Sequence, residues 1–138
     1  MRSTGDVLAE LIGVASVDVA SVSDERLRAE ILDLVRAVNV VQTALWRRLG
    51  GFERRGLAVV DGFRSTRSWL VGFGRLSPHT AAGACAKAAV LEQLPALTVV
   101  ALRGDVSAEH MSRVVALAPM TIQSHNGSPL KLTTRYSP

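Results

Sequence analysis

Histidine, cysteine and serine can supply acid–base, nucleophilic or metal chemistry, and in this 138-residue chain they form no recognisable centre. The histidines are His79, His110 and His125, and the one cysteine is Cys85. A zinc-type site needs at least three convergent ligands. His79 and Cys85 stand six residues apart, about 240° around a helix, and so point to different sides. Glu109 and His110 are adjacent and cannot share a face, and His125 is followed by Asn126 in a segment rich in Pro, Ser and Thr. No metal and no cofactor are expected. Many serines are present but no G-x-S-x-G elbow. Cys85 lies among alanines, where a thiol serves as a small apolar side chain rather than a nucleophile. Gly72-Phe73-Gly74 lacks both the preceding strand and the remaining spacing of a phosphate-binding loop.

Charge offers a different chemistry. The net charge is +4, and Arg outnumbers Lys 14 to 2. Residues 1–33 carry three cations and seven acids, a net of −4, whereas residues 47–75 carry seven cations and two acids, a net of +5. The second segment is basic enough to meet a polyanion or an acidic partner, the alternative being a solvated arginine-rich face. Within it begins a helix-turn-helix layout over residues 66–92. The second helix of such motifs enters the major groove of DNA. Ser77, His79, Thr80, Gly83 and Lys87 would form its exposed stripe, with one cation among them. Affinity for DNA comes mostly from neutralising phosphates, so the flanking arginines would supply it. The DNA-contact candidates are Arg54, Arg55, Arg64, Arg67, Arg75, His79, Thr80 and Lys87. The competing reading is that this small-residue stripe packs on a neighbouring helix, since helix pairs with short turns are generic.

The elements that would hold these residues are all helices. Leu8, Leu11 and Ile12 place a short helix over 6–13, followed by a connector over 14–23. Ser23 can cap a long helix with Asp24 and Glu25 in its first turn, where the helix dipole favours acids. Leu27, Ile31, Leu34, Val35, Val38, Val41, Leu45, Leu49 and Phe52 then follow steps of three and four, which predicts one helix from about 24 to 55. Gly50-Gly51 predicts a kink or early stop, and Gly56 a C-terminal cap. Asp61-Gly62 marks a turn, and Leu57 to Val60 is too short for a strand. Ser65 caps a helix from Thr66 to about Phe73 that should bury Leu70 and anchor Trp69 in the core. Ser77-Pro78 opens a helix running to about Leu94, Pro95 one that Gly104 stops, and Ser107 one over 108–118 with Met111, Val114, Val115 and Ala118 on one face. Residues 119–138 hold three of the five prolines and no alanine, and are expected to be an irregular tail.

Hydrophobic residues make up 48% of the chain but aromatics only 4%, so one domain with a core of Leu, Val and Ala is expected. The longest apolar run, Leu94 to Leu102, falls far short of the roughly 20 residues of a membrane span. Asp6 and Glu10 interrupt the N-terminal apolar stretch, unlike a signal peptide, so a cytoplasmic protein without membrane association is expected.

Several blocks in order resemble one family. They are Arg54-Arg55-Gly56, Asp61-Gly62-Phe63-Arg64-Ser65-Thr66, Trp69-Leu70, Leu76-Ser77 before an Ala-rich helix, Leu94-Pro95-Ala96-Leu97, and Gly104-Asp105-Val106-Ser107-Ala108-Glu109-His110. Over residues 24–118 the chain resembles the helical domain of unknown function 222 of the 13E12 repeat family. In that family the domain usually precedes an HNH endonuclease domain. The resemblance implies a DNA-related context and no enzyme activity here, because no HNH module follows Ala118. It also implies that the chain is truncated, frame-shifted or one half of a split gene. No functional residues carry over. Gly50-Gly51 and the scarcity of arginine after Ser77 depart from the family pattern.

The expected organisation is therefore a short helix and connector over 1–23, a helical domain over 24–118 and a tail over 119–138. The fold is expected to be all-α, with the long helix packed against four or so shorter ones. The expected function is that of a non-catalytic, DNA-associated accessory module binding duplex DNA weakly and salt-dependently. The alternatives are a helical dimerisation or protein-interaction domain, whose homodimer would bury the Leu27 to Leu49 stripe, and a gene fragment without function.

Overall fold

The computed structural model describes residues 2–117 and is all-helical. The expected tail over 119–138, Ala118 and the His125-Asn126 pair lie outside the described residues. The helices are α1 (Thr4–Ala15), α2 (Asp24–Arg54), α3 (Leu57–Val60), α4 (Thr66–Gly72), α5 (Pro78–Gln93), α6 (Pro95–Ala101) and α7 (Ala108–Leu117), with a 3-10 turn at Val19–Ser21. The chain divides into two compact units, one up to Val35 and the other from Arg36 onward. The boundary falls within α2.

In the first unit, α1 is longer than the apolar spacing predicts because its start is fixed by a polar cap. Ser3 and Asp6 form a capping box, each side chain bonding the other's backbone N–H at 3.1 and 3.0 Å. The connector after it is partly ordered: Val14 and Ala15 belong to α1, and the Asp18 side chain accepts from the Ala20 N–H to hold the 3-10 turn. Ser23 caps α2 as its sequence position predicts, accepting from the Arg26 N–H. No residue from 2 to 35 is buried.

The second unit holds the core. Trp46 and Leu49 of α2, Leu70 of α4, Ala81, Ala84, Ala88, Val90 and Leu91 of α5, Ala101 of α6 and Met111 of α7 are all buried, together with Val106. Alanine on α5 lets helices approach closely, as expected of a core poor in aromatics. The caps predicted at Ser65, Ser77 and Ser107 are all made, and Gly56 ends α2 in the left-handed conformation at φ 62°.

The helix after Ser65 runs from Thr66 to Gly72 with Phe73 as its C-terminal cap, as expected, and Phe73 is exposed. Two sequence expectations need correction. Leu57 to Val60 is a helical turn rather than a plain connector. Gly50-Gly51 does not stop α2, which runs to Arg54. Gly50 is buried against α5, where a Cβ would lie 2.9 Å from Glu92 Cδ, so tertiary packing outweighs its poor helix propensity.

The side of α2 that faces the core is set by the fold. That side is not the apolar stripe. Arg36, Asn39 and Thr43 donate to the carbonyls of Arg103, Gly104 and Ala101 at 2.8, 3.0 and 3.4 Å. These are carbonyls at and just past the C-terminus of α6, which a helix cannot satisfy itself. The turn comes so close that a Cβ on Gly104, at φ 80°, would lie 3.0 Å from the Arg36 carbonyl. The packed side continues through Trp46 and Gly50. Of the predicted stripe, Leu49 joins the core, while Val38, Val41 and Leu45 remain exposed.

Candidate functional site

The helix-turn-helix layout is present as α4, a turn over residues 73–77 and α5, and the two helices pack on each other. At the start of α5 the backbone N–H of Thr80 is capped by Ser77 Oγ, which also donates to Thr80 Oγ1 at 2.9 Å. His79 and Thr80 are exposed there, but Gly83 and Lys87, further along the expected stripe, are half-buried. The exposed part of the stripe on α5 is therefore confined to His79 and Thr80, with no lysine or arginine in it.

Most of the arginine candidates are exposed and unpaired. Arg55, Arg64, Arg67 and Arg75 have no carboxylate within ion-pair distance among the described residues. Arg75 sits in the α4–α5 turn with a left-handed backbone, φ 57°. Arg54 differs, because its guanidinium pairs with the carboxylate of Glu92. The two acids of the basic segment are held elsewhere: Glu53 accepts from the Thr66 hydroxyl, and Asp61 accepts from Trp69 Nε1 at 2.9 Å. The segment thus presents its positive charge outward.

Two clefts gather some of these residues. One, of about 380 Å³, lies between the C-terminal part of α2, the start of α4 and α5, and brings Arg54 and Arg67 together with Glu53, Glu92 and Cys85. Its wall is the alanine face of α5. Burial there pushes the Cys85 thiol above its usual range, with the Glu53 carboxylate adding to the shift and Arg67 opposing it. The thiol stays protonated at neutral pH, in keeping with a small apolar role. The other cleft, of about 540 Å³, is lined by Arg47, Arg48 and Arg54 with Glu92, Pro95 and Thr98. Arg47 and Arg48 were not among the sequence candidates, although they belong to the same basic segment.

Trp69 is half-buried rather than fully enclosed. Its ring packs on Phe52 and Phe73 at centroid distances of 4.6 and 5.6 Å while its indole N–H reaches Asp61. The fully buried tryptophan is Trp46, 3% exposed, which the step-counting on α2 did not single out. His110 is engaged as a cap, its Nδ1 accepting from the Ser107 N–H at 3.2 Å. Among the described residues, no three His, Cys, Asp or Glu side chains converge on a common point. No single described helix is long and apolar enough to cross a membrane.

The exposed apolar surface stands out more than any polar cluster. In the first unit Val7, Leu8, Ile12, Ile31 and Leu34 are exposed, and in the second Val38, Val41 and Leu45. No family model, no curated protein and no solved structure matches the chain.

Proposed function

We propose that the chain is a non-catalytic helical interaction module whose working surface is the exposed apolar side of α2. One observation carries this reading. Ile31, Leu34, Val38, Val41 and Leu45 are 53, 42, 56, 47 and 42% exposed, at steps of three and four on one helix. Contiguous apolar surface of this kind marks an interaction site. The first unit supports the same reading, because it buries no residue of its own. Helices draw most of their stability from packing an apolar face, so α1 and the start of α2 need a partner to pack on.

The test is a change that water should tolerate and an interface should not. Val38→Asp on a free surface would shift stability by no more than about 0.5 kcal/mol. The expected result is a larger loss, with lower helicity and an earlier melt. Where the wild type is associated in solution, a variant that melts like it would overturn the reading.

A second function, weak duplex DNA binding, is favoured by the outward arginines Arg55, Arg64, Arg67 and Arg75. The resemblance to the 13E12 repeat family supports it, since that family places its helical domain before an HNH endonuclease. In this reading the phosphate-facing arginines bind, and α5 contributes packing more than base contacts.

A further inference from the structure

We infer that the partner on α2 is a second copy of this chain, packed antiparallel so that residue i faces residue 72 − i of the other copy. The inference rests on the docking reading above and goes beyond it by naming the occupant, its direction and its register.

The spacing comes first. Leu27, Ile31, Leu34, Val38, Val41 and Leu45 recur at steps of 4, 3, 4, 3 and 4. This is the 3.5-residue period of a two-helix seam, in which each side chain enters a gap on the facing helix. The side of α2 used inside the fold is different. Each of Asn39 and Trp46 lies one residue, about 100° around the helix, from Val38 and Leu45.

Charge then selects the direction. The first ten residues of α2 hold four acids and two arginines, whereas Arg47, Arg48 and Arg54 crowd its other end with Glu53. A parallel pair in register would set Asp24 against Asp24 and Arg48 against Arg48. An antiparallel pair sets acid against arginine at both ends. Asp24, Glu25, Arg47 and Arg48 are all exposed and carry no ion pair among the described residues.

The register follows from both together. In the 72 − i pairing, Leu27 faces Leu45, Ile31 faces Val41, and Leu34 faces Val38. The next layer brings Asp24 onto Arg48. Sliding by one heptad to 79 − i puts Ile31 opposite Arg48, and sliding the other way to 65 − i puts Asp24 opposite Val41. Only the 72 − i register matches every apolar layer with an apolar one and also sets Asp24 against an arginine. The two-fold axis repeats each pair, as an interface between identical copies must.

The test uses the full chain in a Cys85→Ala background. Light scattering should give a dimer mass. Asp24→Cys and Arg48→Cys proteins mixed under mild oxidation should form a disulfide-linked heterodimer, and neither alone should link. Asp24→Arg or Arg48→Asp should each weaken the dimer about tenfold, and the two in one chain should restore it to within about threefold. A link between two copies of Asp24→Cys would overturn the direction, and a dimer giving no link would overturn the register. A monomeric wild type would overturn the second copy. In that monomer the docking reading would stand with another occupant only if a designed amphipathic helical peptide bound the wild type and not Val38→Asp.

Discussion

Trp46 and Trp69 differ in how much water each already meets, and this sets their worth. Trp46 is enclosed at 3% exposure, and truncating such a side chain costs about 3–5 kcal/mol. Trp69 keeps part of its ring in solvent and leans on Phe52, Phe73 and Asp61. Trp46→Ala should therefore abolish cooperative melting, Trp69→Ala should lower the midpoint less, and Trp69→Phe should recover most of that loss. Equal losses for the two alanine variants would show that Trp69 is as much a core anchor as Trp46. Asp6 gives a prediction in pH. Its hydrogen bonds to the backbone and then the side chain of Ser3 lower its pKa below the usual 3.8. A lowered folded pKa means the carboxylate supports the α1 cap above about 3.8, and this support fades as pH falls through the lower folded value. Chemical shifts of residues 4–8 should report α1 fraying in that acid range, and Asp6→Asn should already be frayed at neutral pH and remove the titration.

Helix ends were legible because single residues decide them. Ser23, Ser65, Ser77 and Ser107 cap where a hydroxyl before an apolar run predicts, and Gly56 and Gly104 stop helices through positive φ. The side of α2 that packs was not legible. Step-counting finds apolar residues, but the core-facing side of α2 uses Arg36, Asn39 and Thr43 to satisfy carbonyls beyond α6, a demand that only the folded neighbour creates. The continuity of α2 was hidden for a similar reason. Gly50 is poor in a helix by propensity yet suits the contact with Glu92. Gly51 has no such neighbour, since an added Cβ would meet nothing nearer than Arg54 Nη2 at 3.7 Å. Gly51→Ala should therefore stabilise the protein by about 1 kcal/mol. Gly50→Ala should gain less, because its methyl group displaces Glu92 from Arg54. Thermal melts of both variants check the order, and a loss on Gly51→Ala would mean that this turn of α2 needs a glycine.

Across the whole molecule, charge separation and apolar exposure bear on two partners at once. In the antiparallel pair Arg48 is taken up by Asp24 of the other copy, Arg47 lines the cleft beside Pro95, and Arg54 is taken up within the fold by Glu92. That leaves Arg55, Arg64, Arg67 and Arg75 to meet phosphates. Each cation that neutralises a phosphate releases counterions, so the logarithm of affinity falls with the logarithm of salt by about 0.9 per contact. Up to four contacts per copy would make binding to a short duplex visible at low salt and absent at high salt. Arg64→Ala or Arg67→Ala should each reduce the slope by about 1. Arg54→Ala should change it little, because Glu92 already neutralises that guanidinium and no phosphate contact is lost. Gel shifts with duplex DNA across a salt series would measure all three slopes. No shift at low salt, or a slope unmoved by Arg64→Ala and Arg67→Ala, would remove DNA from the reading and leave the helix surface of α2 as the functional part of the chain.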